Sequence, residues 1–307
     1  MKKRDKKGLL MIIVALLVIA LFIGSDKEVY AKKNAFKSFT WQEVENGKIV
    51  KAGAYSFKRV GSYTYFKKTK SADAFKLAPF SIIDCSTNGK IVYYVDNMVL
   101  KKYVLSSGKL SSLKKIPKSS KEAPHEPDKS YVSYIRGNNI YITRSSWGEW
   151  TNRTFIYNIK TKKLTKSFAG TIILAKGKYV VLDMLFKSGV TPGSMLLCKI
   201  SGSTLKKVKK LTSAGLGVDL VGNKLYYLEY TDKKKGDGYT YYGMSAGTLY
   251  RCNLNGSKKK KLGSFKVSGN IGQLFVSDIT SKNCTVTLNS DRYRYNYKTK
   301  KMTKLAK

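Results

Sequence analysis

Apolar and polar positions along this chain recur as one unit about every 40 to 50 residues. A tight Gly or Asn turn opens the unit, an apolar strand follows, then a second, alternating strand, then a Lys-rich segment. The pattern is clear in Asn138-Asn139-Ile140-Tyr141-Ile142, Thr154 to Ile159 and Lys162-Lys163-Leu164. It returns in Gly222 to Leu228, Leu249 to Gly256 and Lys258 to Lys261. Opening turns fall near Gly53, Gly89, Gly137, Gly177, Gly222 and Lys282, an average spacing of about 46 that lies in the range of four-stranded propeller blades. A unit of this size cannot bury its own apolar face, so its neighbours must stack on it. The opening strand of the first unit has to come from Thr40 to Lys51, where the pattern is weakest.

The strands of a unit differ among themselves in an informative way. Ile91-Val92-Tyr93-Tyr94-Val95 and Tyr179-Val180-Val181-Leu182 are apolar throughout, as a strand covered on both faces can be. The next strands alternate, most clearly Arg292-Tyr293-Arg294-Tyr295-Asn296-Tyr297, which fits a strand with a more exposed face. The last strands, Lys206 to Leu211 and Lys300 to Leu305, are Lys-rich, and lysine on an outermost strand deters edge-to-edge pairing. No long amphipathic helix follows the leader. The chain is therefore expected to be all-β, a β-propeller of about six four-stranded blades after an N-terminal signal peptide, with residues 32–307 forming the propeller domain.

The leader is basic from Met1 to Lys7 and apolar over the 17 residues Gly8 to Gly24, and Val29-Tyr30-Ala31 places small residues for cleavage after Ala31. The alternative is an uncleaved anchor, because 17 apolar residues sit at the short limit for crossing a bilayer. In both cases the body is exported. No cysteine precedes Cys85 after the apolar run, so a lipid anchor is not expected, and Met302 to Lys307 shows no wall-sorting signal.

Export changes how the charge is read. The chain carries 59 Lys and Arg against 19 Asp and Glu, a net charge of +40, and only eight of the basic residues are arginine. Lysine is a hydrated point charge without the planar fork that reads phosphate or base edges. This composition suits diffuse attraction to an anionic cell-wall polymer, a polysaccharide or a membrane surface, with another envelope protein as a further partner class. Export argues against nucleic acid. The plainer account is that lysines solubilise the rim and protect edges, although solubility alone needs a net charge of only about 2 to 8 on a small domain. A monomer is expected.

Candidate chemistry gathers in the long connections, since binding groups concentrate in loops on a rigid scaffold. Ser145 to Trp150 places Trp147 and Trp150 beside Glu149, a plausible platform for a sugar unless the rings pack down on their own blade. Tyr239 and Tyr241, in Gly238 to Tyr242, form either a similar surface or a longer hairpin closed by cross-strand aromatic pairs. Glu122 to Asp128 holds the only histidine, His125, with Glu126 and two prolines. No recognised metal spacing is present there, and no metal or cofactor is expected. Cys85, Cys198, Cys252 and Cys284 contain no C-x-x-C pair. Cys198 and Cys252 occupy equivalent slots in adjacent units, about 10 Å apart by sheet packing, too far for a bridge, and read as buried fillers.

An enzyme lacks a visible motif. One histidine allows at most one His-centred triad, and no Gly-x-Ser-x-Gly elbow or phosphate-cradling loop occurs. Glycoside cleavage needs two converging carboxylates; Glu126 and Glu149 are able to meet across the loop face, but nothing in their local sequence marks them.

The run Gly222-Asn223-Lys224-Leu225-Tyr226-Tyr227 with Leu249 to Ser257 resembles the repeat of low-density-lipoprotein-receptor-type and TolB-like propellers. More closely it is similar to exported, mostly uncharacterised repeat propellers of Gram-positive bacteria. The likeness spans about Gly53 to the C-terminus, lacks the Tyr-Trp-Thr-Asp strand of the receptor type, and implies an interaction module outside the membrane. The expected function is a non-enzymatic, extracytoplasmic binding module with its ligand face on the long loops. The alternatives are an extracytoplasmic carbohydrate-active hydrolase and a structural spacer.

Overall fold

A computed structural model describes residues 36–39, 43–119, 128–146, 152–165, 167–184, 193–236, 239–267 and 273–306, with backbone alone at 216–217, 233–236 and 239–242. The leader lies outside the described residues. Among the described residues every regular element is a strand, and the strands form six antiparallel sheets of four or five. The chain is a six-bladed β-propeller.

Blade one is Ile49–Ala52, Tyr55–Val60, Tyr63–Lys68 and Lys76–Leu77. Blade two is Ser86–Thr87, Ile91–Asp96, Val99–Val104 and Lys109–Lys115, with Lys37–Ser38 added beside Ser86–Thr87. Blade three is Lys129–Arg136, Asn139–Ser145, Arg153–Asn158 and Lys163–Leu164. Blade four is Thr171–Lys176, Tyr179–Met184, Ser194–Ser201 and Thr204–Thr212. Gly215–Val221, Lys224–Tyr230, Ala246–Asn253 and Lys260–Lys266 make blade five. Leu274–Ser277, Asn283–Leu288, Asp291–Asn296 and Met302–Lys304 make blade six. Each opening turn seen in the sequence precedes the second strand of a blade.

The chain divides into two compact units, residues 1–94 with 101–111, and residues 95–100 with 112–307. The first unit is held by an aromatic core in which Phe57, Phe66, Phe80 and Tyr94 are buried, with ring centroids 5.6 Å apart for Phe80 and Tyr94 and 6.4 Å for Phe66 and Phe80. Its two opening turns touch. Gly53 and Gly89 have φ of 56° and 76°, and a Cβ on Gly89 would lie 2.6 Å from the Gly53 Cα and closer still to the Ala52 carbonyl. Glycine is needed there for both reasons, backbone conformation and space.

In the second unit, successive residues of a second strand point into different seams. Val180 and Leu182 join Tyr141, Ile156 and Cys198 between blades three and four. Val181, the residue between them, joins Leu197, Leu225, Tyr227 and Cys252 between blades four and five. Tyr226, Leu228 and Tyr230 then enter the next core with Leu249, Leu274, Cys284 and Tyr295. Period-two alternation feeding two apolar seams produces the unbroken apolar runs of the sequence. Tyrosine hydroxyls tie the seams: Tyr134 Oη donates to Gly177 O at 3.1 Å, Tyr230 Oη to Leu274 O at 2.7 Å, and Tyr295 Oη to Leu262 O at 2.9 Å. Cys198 and Cys252 lie in different seams, and all four cysteines are buried and free.

Two details differ from expectation. Third strands are not uniformly half-exposed: Thr154 to Tyr157 of blade three is buried throughout, because large side chains on both faces find cover. The stretch 232–247 is no open loop. It contains a two-stranded ribbon, Lys233–Gly236 paired with Tyr239–Tyr242, separate from the blade sheets.

Candidate functional site

The antiparallel register puts the long connections of blade three at one end of its sheet. Lys129 pairs with Ser145 and Arg144 with Arg153. The connection carrying His125 and Glu126 therefore ends where the one carrying Trp147, Glu149 and Trp150 begins. Those five side chains lie outside the described residues, while the stems of both connections are described. Tyr239 and Tyr241 sit on the ribbon of blade five, where they pair with Gly236 and Lys234. The backbone of that segment is thus a hairpin, but its register sets the tyrosines opposite glycine and lysine rather than in cross-strand aromatic pairs.

An ion pair locks the stems. Arg144 closes the apolar second strand of blade three with its side chain 4% exposed, and its Nε lies 3.8 Å from Oδ2 of the fully buried Asp128. Arg144 Nη1 donates to Pro117 O at 2.8 Å, and Ser119 N donates to Asp128 Oδ2. The guanidinium also lies over the Phe155 ring, 5.6 Å from its centroid. One arginine thus holds residues 117–119 and 128, the two stems of the connection that bears His125. A buried pair of this kind is costly to break from one side, since the remaining charge stays in the interior.

The second connection is tied to the next blade. Asn152 Nδ2 donates to Thr171 Oγ1 at 2.7 Å, and Gly170 N donates to Asn152 O at 2.8 Å. Thr171 in turn pairs across the strands with Asp183. Asp183 lies near the end of an otherwise apolar strand, just before residues 185–192. Its Oδ1 is buried and has no hydrogen-bond partner among the described residues. Burial pushes its carboxyl up to about 6, because an ion is disfavoured where water cannot reach it. The space it occupies depends on Gly193, where a Cβ would come within 2.5 Å of Asp183 Oδ1. A carboxyl half-protonated near pH 6, at the loop end of its blade, suits proton transfer.

Sequence reasoning missed Asp183 and Arg144, and it placed Asp128 in the acidic segment without the buried ion pair. The available signal was a charged residue interrupting an apolar second strand, in Val180-Val181-Leu182-Asp183 and Ile140-Tyr141-Ile142-Thr143-Arg144. Among the described residues no group of three or more His, Cys, Asp or Glu is arranged to hold a metal ion, so no step is derived through one.

No protein-family model matches the chain, and no curated protein matches it in sequence. Solved structures match it in fold. An oligogalacturonate lyase from Vibrio parahaemolyticus is 14% identical with a TM-score of 0.50, covering 88% of this chain and 76% of that one. An oligogalacturonate lyase in complex with manganese is 12% identical with a TM-score of 0.48, covering 80% and 70%. An uncharacterised protein from Listeria monocytogenes EGD-e is 10% identical with a TM-score of 0.45, covering 89% and 83%. At these identities the likeness is one of fold.

The expectation of a non-enzymatic binding module is corrected by the fold match to the Vibrio oligogalacturonate lyase, an enzyme built on the same architecture. That expectation rested on the lack of a short catalytic motif. A propeller scaffold places single residues from separate strands and loops, so its chemistry need not leave such a motif.

Proposed function

We propose that this chain is an exported carbohydrate-active enzyme that cleaves glycosidic bonds in an acidic polysaccharide, working at the loop end of blades three and four. Asp183 carries the reading: a half-buried carboxyl raised by burial to about 6, with one oxygen unpartnered among the described residues, can take up and release a proton at mildly acidic pH. Hydrolysis needs that proton delivered to the leaving oxygen and a second carboxylate to act on the sugar or on water. Glu149 and Glu126 are the candidates for the second role, since their connections spring from the adjoining sheet end. Arg144 and Asp128 position those connections and touch no substrate.

The substrate class follows from charge. A net charge of +40 concentrates a polyanion around the protein by long-range attraction, and the Vibrio structure of this fold is named for a polyuronate oligomer. The propeller acts as a monomer, needs no nucleic acid, and meets its substrate in the cell envelope.

The test is release of reducing ends from a panel of acidic polysaccharides, read alongside absorbance of unsaturated products to separate hydrolysis from elimination. Asp183→Asn is expected to lower turnover by about 100-fold or more, with the circular dichroism spectrum unchanged. Full activity in that variant, or an inactive parent across the panel, refutes the proposal.

A further inference from the structure

The first compact unit carries a cleft of about 340 Å³ that the cleavage chemistry does not use. Its floor is aromatic. Tyr55 and Phe66 are 7% and 5% exposed, with ring centroids 6.1 Å apart. Tyr103 meets Phe66 edge-on at 6.0 Å and closes one side. Around this floor stand Lys68 and Lys76, with a single carboxylate, Asp73. Strand pairing places both lysines directly across from floor residues: Lys68 opposite Tyr55, and Lys76 opposite Phe66. Lys67, between Phe66 and Lys68, turns to the other face of the strand, where its Nζ lies 5.1 Å from the centroid of the Phe75 ring.

Each part of this cleft matches a part of one ligand class. The partly exposed Tyr103 ring takes the C–H face of a pyranose ring, two ammonium groups take an anionic substituent, and Asp73 accepts hydrogen bonds from ring hydroxyls. The volume lies at the small end of ligand pockets, the size for a short saccharide segment. We propose that this cleft is a binding subsite for a uronic acid unit of the polysaccharide, separate from the catalytic residues. The identity of the ligand rests on the acidic-polysaccharide reading above. The cleft itself stands on its own geometry.

Calorimetric titration with a hexuronate trimer tests it, using the full mature chain with Asp183→Asn so that the probe is not consumed. Binding is expected, and the same titration with the neutral hexose trimer should be at least tenfold weaker. Lys68→Gln and Lys76→Gln together should cost the acidic trimer tenfold or more, and Tyr103→Ala should do the same. Lys68 and Lys76 are exposed, so the lysine variant is expected to fold, with an unchanged urea midpoint as the check. Equal binding of acidic and neutral trimers, equal binding of a glycerol phosphate trimer, or an unaltered affinity in the lysine variant overturns the proposal. If the trimer binds but the parent shows no turnover, only the enzymatic reading falls. If turnover is present but lysine-dependent binding is not, only the subsite falls.

Discussion

Burial that lifts the Asp183 carboxyl to about 6 also burdens the fold. Its folded-state pKa stands above the ordinary value of 3.8, so between those two values the folded chain holds the proton that the unfolded chain releases. Stability contributed by this group therefore falls as pH rises from about 4 to about 6, and above that the ionised carboxylate is a standing penalty. Asp183→Asn should raise the melting temperature at pH 7.5 and change it little at pH 4, which two calorimetric scans would show. A gain of stability paired with loss of turnover is the mark of a functional residue rather than a structural one. The cysteines behave oppositely. Burial raises the thiol of Cys284 to about 11 and pushes Cys85, Cys198 and Cys252 upward as well. Thiolate is the reactive form, so all four should resist a thiol reagent at pH 8 in the native protein and react fully in denaturant. Reductant should leave the melting temperature unmoved.

At the level of elements, a blade depends on its turn and on its tyrosine ties. Gly177 has φ of 57°, and nothing lies within 4 Å of the point a Cβ would occupy. Gly177→Ala therefore meets only backbone strain, roughly 1–2 kcal/mol. Gly89→Ala adds a collision with the Gly53 turn and should cost clearly more, compared by urea midpoints. Tyr230→Phe should cost about 1 kcal/mol through the lost bond to Leu274 O. Tyr295→Phe should be milder, since Lys300 Nζ also donates to Leu262 O. These elements were largely legible in the sequence because the repeat prints them six times. Gly53, Gly89, Gly137, Gly177 and Gly222 marked the turns, and runs such as Tyr179 to Leu182 marked strands covered on both sides. The candidate site was legible only in part. Trp147 and Glu149 could be placed in a long connection, but the worth of Asp183 depends on how deeply Gly193 and Thr171 let it sink. That is a property of packing between strands, and no local spacing encodes it.

For the whole molecule, the lysines fall into two structural sets. Some lysines reach between neighbouring blades: Lys176 Nζ donates to Gly222 O, and Lys209 Nζ to Gly256 O at 3.4 Å. Others line exposed outer strands, as in Thr204–Thr212 of blade four, where their charge is open to solvent and would act at long range under the proposed function. Cleavage of an acidic polymer should therefore show a KM that rises several-fold between about 50 and 500 mM salt while kcat holds, because screening shortens the reach of exposed charges to about 10 Å at 0.1 M. A flat salt profile would assign the lysines to solubility and edge protection alone. The alternating assignment of Val180, Val181 and Leu182 to separate seams has a further consequence for how such a chain can change over generations. A single inserted residue within a second strand would exchange its two faces and spoil both neighbouring cores at once. An insertion in the connections at the loop end disturbs neither. Inheritance is thereby strict where blades meet and permissive in the connections, so loops can be lengthened or traded while the scaffold is passed on unaltered.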